Sequence, residues 1–452
     1  MEKIKLKNKS ILFNNVIIGL ALLVSLLTIN IQQELYIDYI TSILVVYLLV
    51  KKGRPLYSAS GVILSMTFLQ YLTPYSLMWL ILNDPTTALT QEEILSSREV
   101  VFIFNIFTLS FLFGNMLISK KDEVKTNYRI KKLDDERLFH VGIISLVSYS
   151  LIALKLGFFY HSESGEFDVQ NATNYGFVMY FLYIAISIFI VLYINYRLFG
   201  SKSNYIVIYA LIFFCIFLPS GMRRMLLTPI LFIGLFELSQ LNFAIDRKLI
   251  RIILVVVSGL ALLPLLQLIR THDKIGQYNE IELFQLIFSL LIRRLSDYIG
   301  VTYIQQHIAD GTLSYIGFSD LYEGIAYLIP TVIRPEISLP YTYDAILSYN
   351  IGFRSDKTGS SPIMLIGELL LRGGLFALVP ISILIGVVIA IFDKSFNIYR
   401  KNQFYLIVFG LLYYELASMH AFNLVKLFTI FTRHLFVLSI LGIIILKYTR
   451  RN

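Results

Sequence analysis

Apolar runs of about 20 residues recur along almost the whole chain, and a run of that length has few ways to fold. A helix needs about 20 apolar residues to cross a bilayer core, with a range of roughly 17–25, and a helix satisfies its own backbone polar groups in lipid. Such runs are predicted at 11–31, 34–50, 56–81, 100–119, 138–157, 175–197, 204–219, 225–241, 250–269, 362–392, 403–421 and 424–446. Hydrophobic residues make up 56% of the 452 positions and charged residues 15%. Soluble domains carry roughly 45–50% and about 25%, so a set of soluble domains is excluded. The fold class expected is an all-α polytopic membrane protein with about 12 transmembrane helices. The run from Ile11 lacks a small-residue cleavage site and reads as a span rather than a cleaved leader.

The net charge of +9 has meaning only once it is sorted by membrane side. With the N-terminus inside, alternate loops collect Lys3, Lys5, Lys7 and Lys9, then Lys51, Lys52 and Arg54, then the 120–137 loop. Later members are Arg197, Lys202, Arg247, Lys248, Arg251, Lys394, Arg400, Lys401, Lys447, Arg450 and Arg451. That side holds 25 of the 39 basic residues and eight of the 30 acidic ones, a net of +17 against −8 elsewhere. The positive-inside rule then puts both termini in the cytoplasm. The basic excess is an orientation signal, and no nucleic-acid partner is expected. Three regions follow: transmembrane helices 1–9 over 1–269, a large external loop domain over 270–361, and helices 10–12 over 362–452. A structureless loop of about 90 residues would be unusual. Amphipathic patterns at 283–308 and 319–328 predict short helices at the bilayer interface.

Basic residues on the wrong side carry the functional signal. Pro219-Ser220-Gly221-Met222-Arg223-Arg224 is a tight external turn with two arginines. Arginine offers a planar fork of donors that matches phosphate oxygens, and exposed amides near Gly221 add donors for an anion. The competing reading is a pair that snorkels to lipid headgroups. Arg270 ends the ninth span, Arg293 and Arg294 lie in an amphipathic stretch, and Arg433 lies inside the twelfth span. Arg372 follows Glu368 by four residues in the tenth, which places both on one helix face. Ionisable groups inside spans are functional-site candidates by default, although an ion pair can also simply lock helices together.

An acceptor hydroxyl needs a general base within hydrogen-bond reach. Asp297, four residues after Arg293, and Glu368 are the catalytic candidates, with Glu323 and His272 as possible support beside Arg294 and Arg372. His307 reads as a solvated loop histidine. The acidic triplet Asp134-Asp135-Glu136 sits among seven basic residues and reads as a solvated loop rather than a metal cluster. Neither metal nor cofactor is expected: the six histidines are scattered and no H-E-x-x-H, G-x-S-x-G or P-loop pattern occurs. Cys215 is the sole cysteine, which excludes an intrachain disulfide. External tyrosines (Tyr315, Tyr322, Tyr327, Tyr341, Tyr343 and Tyr349) suit either an interfacial belt or a sugar platform.

Taken in order, SGMRR at 220–224, LQLIR ending at Arg270, LLIRRLSDYIG, GFSDLYEGIAYLIPTVIRPE, SSPIMLIGELLLRGGLFALVP and FTRH at Arg433 resemble the O-antigen polymerase (Wzy) family. The resemblance covers roughly residues 205–440; the first half matches only in its span pattern. It implies an inverting, metal-independent membrane glycosyltransferase of the C-type superfamily, acting on two undecaprenyl-diphosphate-linked glycans at the outer face of the inner membrane. By position, Arg223, Arg224, Arg270, Arg293 and Arg433 carry over as contacts to the diphosphate. A chain-length regulator is an implied partner besides the phospholipid bilayer. Metal-dependent C-type relatives place acids in a first external loop, which here has only Glu34 and Asp38.

Two rival readings stand beside this one. An O-antigen ligase would share the span count and the large loop, but the ligase loop pattern includes a tryptophan, and Trp79 lies in the third span. A flippase or transporter for lipid-linked sugars would line a mid-membrane cavity with charge, whereas these arginines gather at the outer face. No internal repeat supports inverted halves.

Overall fold

A computed structural model of the chain describes residues 59–61, 63, 64, 67, 97–118, 132–155, 178–201, 203–217, 229, 230, 233, 299–319, 364–399, 424, 427 and 435–449. Every regular element among them is a helix. In chain order these are α1 (Ser97–Leu117), α2 (Asp135–Lys155), α3 (Val178–Phe199), α4 (Ser203–Phe217), α5 (Ile299–Ala309), α6 (Met364–Tyr399) and α7 (Leu435–Thr449). Stretches of α2, α3 and α6 (Asp135–Lys155, Tyr180–Phe199 and Leu365–Ser395) are long and apolar enough to cross a membrane. The described part of the chain is thus an α-helical membrane protein in character. The spans expected at 11–31, 34–50, 250–269 and 403–421 lie outside the described residues, as does the amphipathic stretch from 320 onward. Those at 56–81 and 225–241 are described at only a few positions.

α1 is enclosed by the protein: Ile103, Phe104, Ile106, Phe107, Leu109, Phe111 and Leu112 are buried, as are the polar Asn105, Thr108 and Ser110 between them. It packs chiefly on α6. The two backbones touch: a Cβ on Gly114 would overlap the Ile383 carbonyl oxygen, and one on Gly386 would overlap that of Phe111. In lipid, helix association draws on such close approach of small residues, because apolar side chains gain little by leaving hydrocarbon.

A second group forms from α2, α3 and α4. Tyr209 of α4 lies against Gly142 of α2, where any Cβ would meet its ring. Its hydroxyl donates to the Ala185 carbonyl of α3 at 3.0 Å. Phe139 and Phe189 pack against it, and Phe213 packs on Phe189, so one aromatic residue ties three helices.

The polar contacts at helix ends follow the charge sorting. At the start of α2, Asn195 of α3 donates to the Leu133 carbonyl at 3.1 Å and to the Asp135 carboxylate at 2.7 Å. The Asp134 amide donates to the Thr449 carbonyl at the end of α7 at 3.0 Å. At the end of α6, the Asp393 carboxylate accepts from the Ala59 amide at 2.6 Å, from the Ser60 amide at 3.1 Å and from the Ser60 hydroxyl. That carboxylate satisfies two adjacent backbone amides of another segment. Each contact joins two ends that the charge sorting assigns to the same side. The acidic triplet acts at a helix start rather than in a loop. Asp134 accepts from the amides of Glu136 and Arg137 at 3.1 and 3.4 Å, while Asp135 and Glu136 form the acidic first turn of α2.

The tenth span differs most from expectation. It is not one continuous helix, because Gly373 and Gly374 have non-helical backbone angles inside α6. Gly374 has φ of 59° and ψ of −143°, a positive-φ state almost confined to glycine that costs a residue with a side chain about 1–3 kcal/mol. Paired glycines are a usual cause of a sharp kink. Residues 375–395 still make about 32 Å of helix at 1.5 Å per residue, enough for the bilayer core. The nine residues before the break are therefore not needed to cross it.

Candidate functional site

Breaking a helix orphans the carbonyls of its last turn, which must find donors elsewhere. In an unbroken α6 the carbonyls of Leu371 and Arg372 would accept from residues 375 and 376. Instead, the amides of Ile316 and Gly317 donate to them, each at 3.1 Å. These amides belong to a strap, residues 310–319, that follows α5. Gly311, with φ of 71°, lets the chain leave that helix in the left-handed state common at helix C-termini. The Leu313 amide and the Thr312 hydroxyl then both donate to the His307 carbonyl, at 2.8 and 2.9 Å.

Glu368 and Arg372 lie on the first half of α6, with side chains closed to solvent. Nε and Nη2 of Arg372 donate to Oε1 of Glu368 at 2.9 and 2.7 Å. Its Nη1 donates to the Gly317 carbonyl at 2.7 Å. Gly317 thus gives its amide hydrogen to Arg372's backbone and takes one from its side chain. The guanidinium carbon also lies 5.6 Å from the centroid of the Phe318 ring, within cation–π range. Glu368 reaches elsewhere with its second oxygen, accepting from the Leu424 amide at 2.7 Å. The pair therefore joins three segments remote in sequence: the strap, the broken helix, and the start of the last span. A buried ion pair is tolerated when its hydrogen-bonding groups are met in this way.

On the far side of the break, Phe318, Gly373, Phe376, Ala377, Pro380 and Ile381 line an apolar cleft of about 310 Å³. Phe376 is 95% exposed. The cleft can take an apolar chain; it presents no acid or base.

The expected i, i+4 pair of Glu368 and Arg372 is formed. Arg223, Arg224, Arg270, Arg293, Arg294, Arg433, Asp297, His272 and Glu323 lie outside the described residues. His307 lies in the last turn of α5, within the helix expected over 283–308, half-buried rather than solvated, its ring stacked on Tyr303 at 4.0 Å between centroids. Its Nδ1 lies 2.9 Å from the Tyr303 carbonyl, which requires the proton on Nδ1 because a carbonyl only accepts. Sequence reasoning missed the strap contacts, and backbone groups of Gly317 and Leu424 leave no signature in residue types. The Gly373-Gly374 pair was the one legible signal.

Comparison of the chain with family models, with curated proteins and with solved structures finds no match.

Proposed function

We propose that the chain is an O-antigen-polymerase-like glycosyltransferase, an enzyme that joins undecaprenyl-diphosphate-linked oligosaccharide repeat units at the outer face of the bacterial inner membrane. The observation that carries the reading is the set of arginines that defy the sidedness bias: Arg223, Arg224, Arg270, Arg293 and Arg433. In this reading the acceptor sugar's hydroxyl gives its proton to a carboxylate and its oxygen attacks the anomeric carbon of the growing chain. The bond to the diphosphate breaks with inversion, and the diphosphate leaves with the electron pair. The arginines neutralise charge as it builds on that leaving group, where fixed cations lower the barrier most. Of the two carboxylates expected as base, Glu368 faces Arg372 and the Leu424 amide and is closed to solvent. A base must come within hydrogen-bond reach of the proton it takes, so we assign that role to Asp297.

The test supplies the purified protein, in lipid, with a synthetic undecaprenyl-diphosphate repeat unit and looks for a glycan ladder. A ladder is expected, and Arg223→Ala, Arg224→Ala or Arg270→Ala abolishes it while expression persists. Transfer to lipid A core without a ladder would turn the assignment to a ligase. Full activity in all three variants would remove the diphosphate assignment.

A further inference from the structure

We propose that Glu368 and Arg372 are positioning residues, a clamp that pins the 310–319 strap across the break in α6 and ties it to residue 424. Apolar contacts hold the strap only in part: Leu313 and Ile316 pack half-buried against the core, while Tyr315 and Phe318 are exposed aromatics. Polar links supply the rest of the hold. Those links converge on one residue: Gly317 pairs with Arg372 through both its amide and its carbonyl, beside the Ile316–Leu371 bond.

The backbone states are specific as well. Gly317 has φ of 66° and Gly374 of 59°, both in the region that favours glycine. The Tyr315 ring covers Gly374 so closely that a Cβ there would meet its hydroxyl at 2.9 Å. Glu368 completes the arrangement. It holds the guanidinium from below with one oxygen and anchors the Leu424 amide with the other. An arginine alone at this depth would be an uncompensated charge. With the carboxylate it becomes a fixed donor aimed at the Gly317 carbonyl.

The consequence is a fixed wall for the apolar cleft at the break, because Phe318 of the strap lines it. Under the proposed polymerase reading, on which this step rests, that cleft receives the apolar tail of the lipid-linked acceptor. The clamp then acts on substrate binding through the strap, and neither side chain touches the reacting atoms.

The experiment uses the full chain in lipid nanodiscs. Glu368→Gln combined with Arg372→Met removes both charges together, leaves an acceptor for the Leu424 amide, and deletes the donor to Gly317. Replacing a buried ion pair with uncharged groups of similar volume is commonly tolerated, and an unchanged melting profile checks that the variant folds. A hydrogen bond to a charged group is worth roughly a factor of ten. Amide hydrogen exchange over 310–319 is thus expected to quicken about tenfold or more, while α2 and α3 exchange as before. With the acceptor substrate, KM is expected to rise about fivefold while kcat stays within about twofold, since a loosened strap adds an ordering cost to binding. Wild-type protection of the strap in this variant would overturn the clamp. A collapse of kcat at constant KM would overturn the positioning role and return Glu368 to the chemistry. If the wild-type chain makes no glycan, the polymerase reading falls, and the exchange result alone decides the clamp. Should the double variant not fold, Gly317→Ala, which strains the strap and leaves the ion pair in place, is expected to give the same faster exchange; unaltered protection would count against the clamp.

Discussion

The two halves of α6 look alike in sequence and differ in almost every physical respect. Leu365, Ile366, Leu369 and Leu371 before the break are buried, as are Glu368 and Arg372 between them. That short helix is covered on all faces. Beyond the glycines, Phe376, Leu384, Val388 and Ile391 are exposed while Leu378, Ser382, Ile385 and Ile389 are buried. This is the one-sided burial of a helix that keeps an apolar face for lipid. Hydropathy measures what a segment could leave water for, and it assigns both halves to one span. It does not say whether protein or lipid will surround them. The charged pair makes the difference, because only the half wrapped by other segments can supply its partners.

The comparison can be broken most severely at Arg372. Arg372→Ala leaves Glu368 buried without its counter-ion, a loss of about 3–5 kcal/mol. Thermal unfolding in detergent is expected to show a large drop in Tm; a shift equal to that of a surface alanine would mean that the pair is solvated. Next in size is the joint between the halves. Gly374→Ala is expected to cost about 1–3 kcal/mol from the positive-φ backbone state, together with displacement of the Tyr315 ring. Adding Tyr315→Ala should recover the second part and not the first, which a double-mutant cycle on Tm resolves. The smallest effect belongs to the exposed half. Phe376→Ala is expected to change stability by no more than about 0.5 kcal/mol. A larger loss would show that the exposed face of this half has a protein neighbour.

Much of the helical layout was legible before any coordinates. Predicted spans at 100–119, 138–157, 175–197 and 204–219 correspond to α1 through α4 within a few residues. The side assignment of their ends agrees with the contacts of Asn195, Asp134 and Asp393. The amphipathic stretch at 283–308 was legible in type, and its described part is α5. Two features escape such a reading. The glycine pair at 373–374 merges into a long apolar run because its neighbours, Leu371 and Leu375, carry the same hydropathy on both sides. The acidic triplet reads as a solvated loop among basic residues, although an Asp followed by two more acids at the start of an apolar run is also an N-cap pattern.

What the sequence alone determined is the part that adds up residue by residue. Transfer from water to hydrocarbon is nearly additive along a helix, and so is the cost of carrying lysine and arginine across a membrane. The helical membrane character and the positions of several helices can therefore be read in one dimension. The tertiary structure alone decided what Glu368 and Arg372 do. Their partners are the carbonyl of Gly317 and the amide of Leu424, 55 and 56 residues away. Every residue but proline offers the same backbone amide, and every residue the same carbonyl. No pattern of side chains could mark those two; only the close approach of the three segments does.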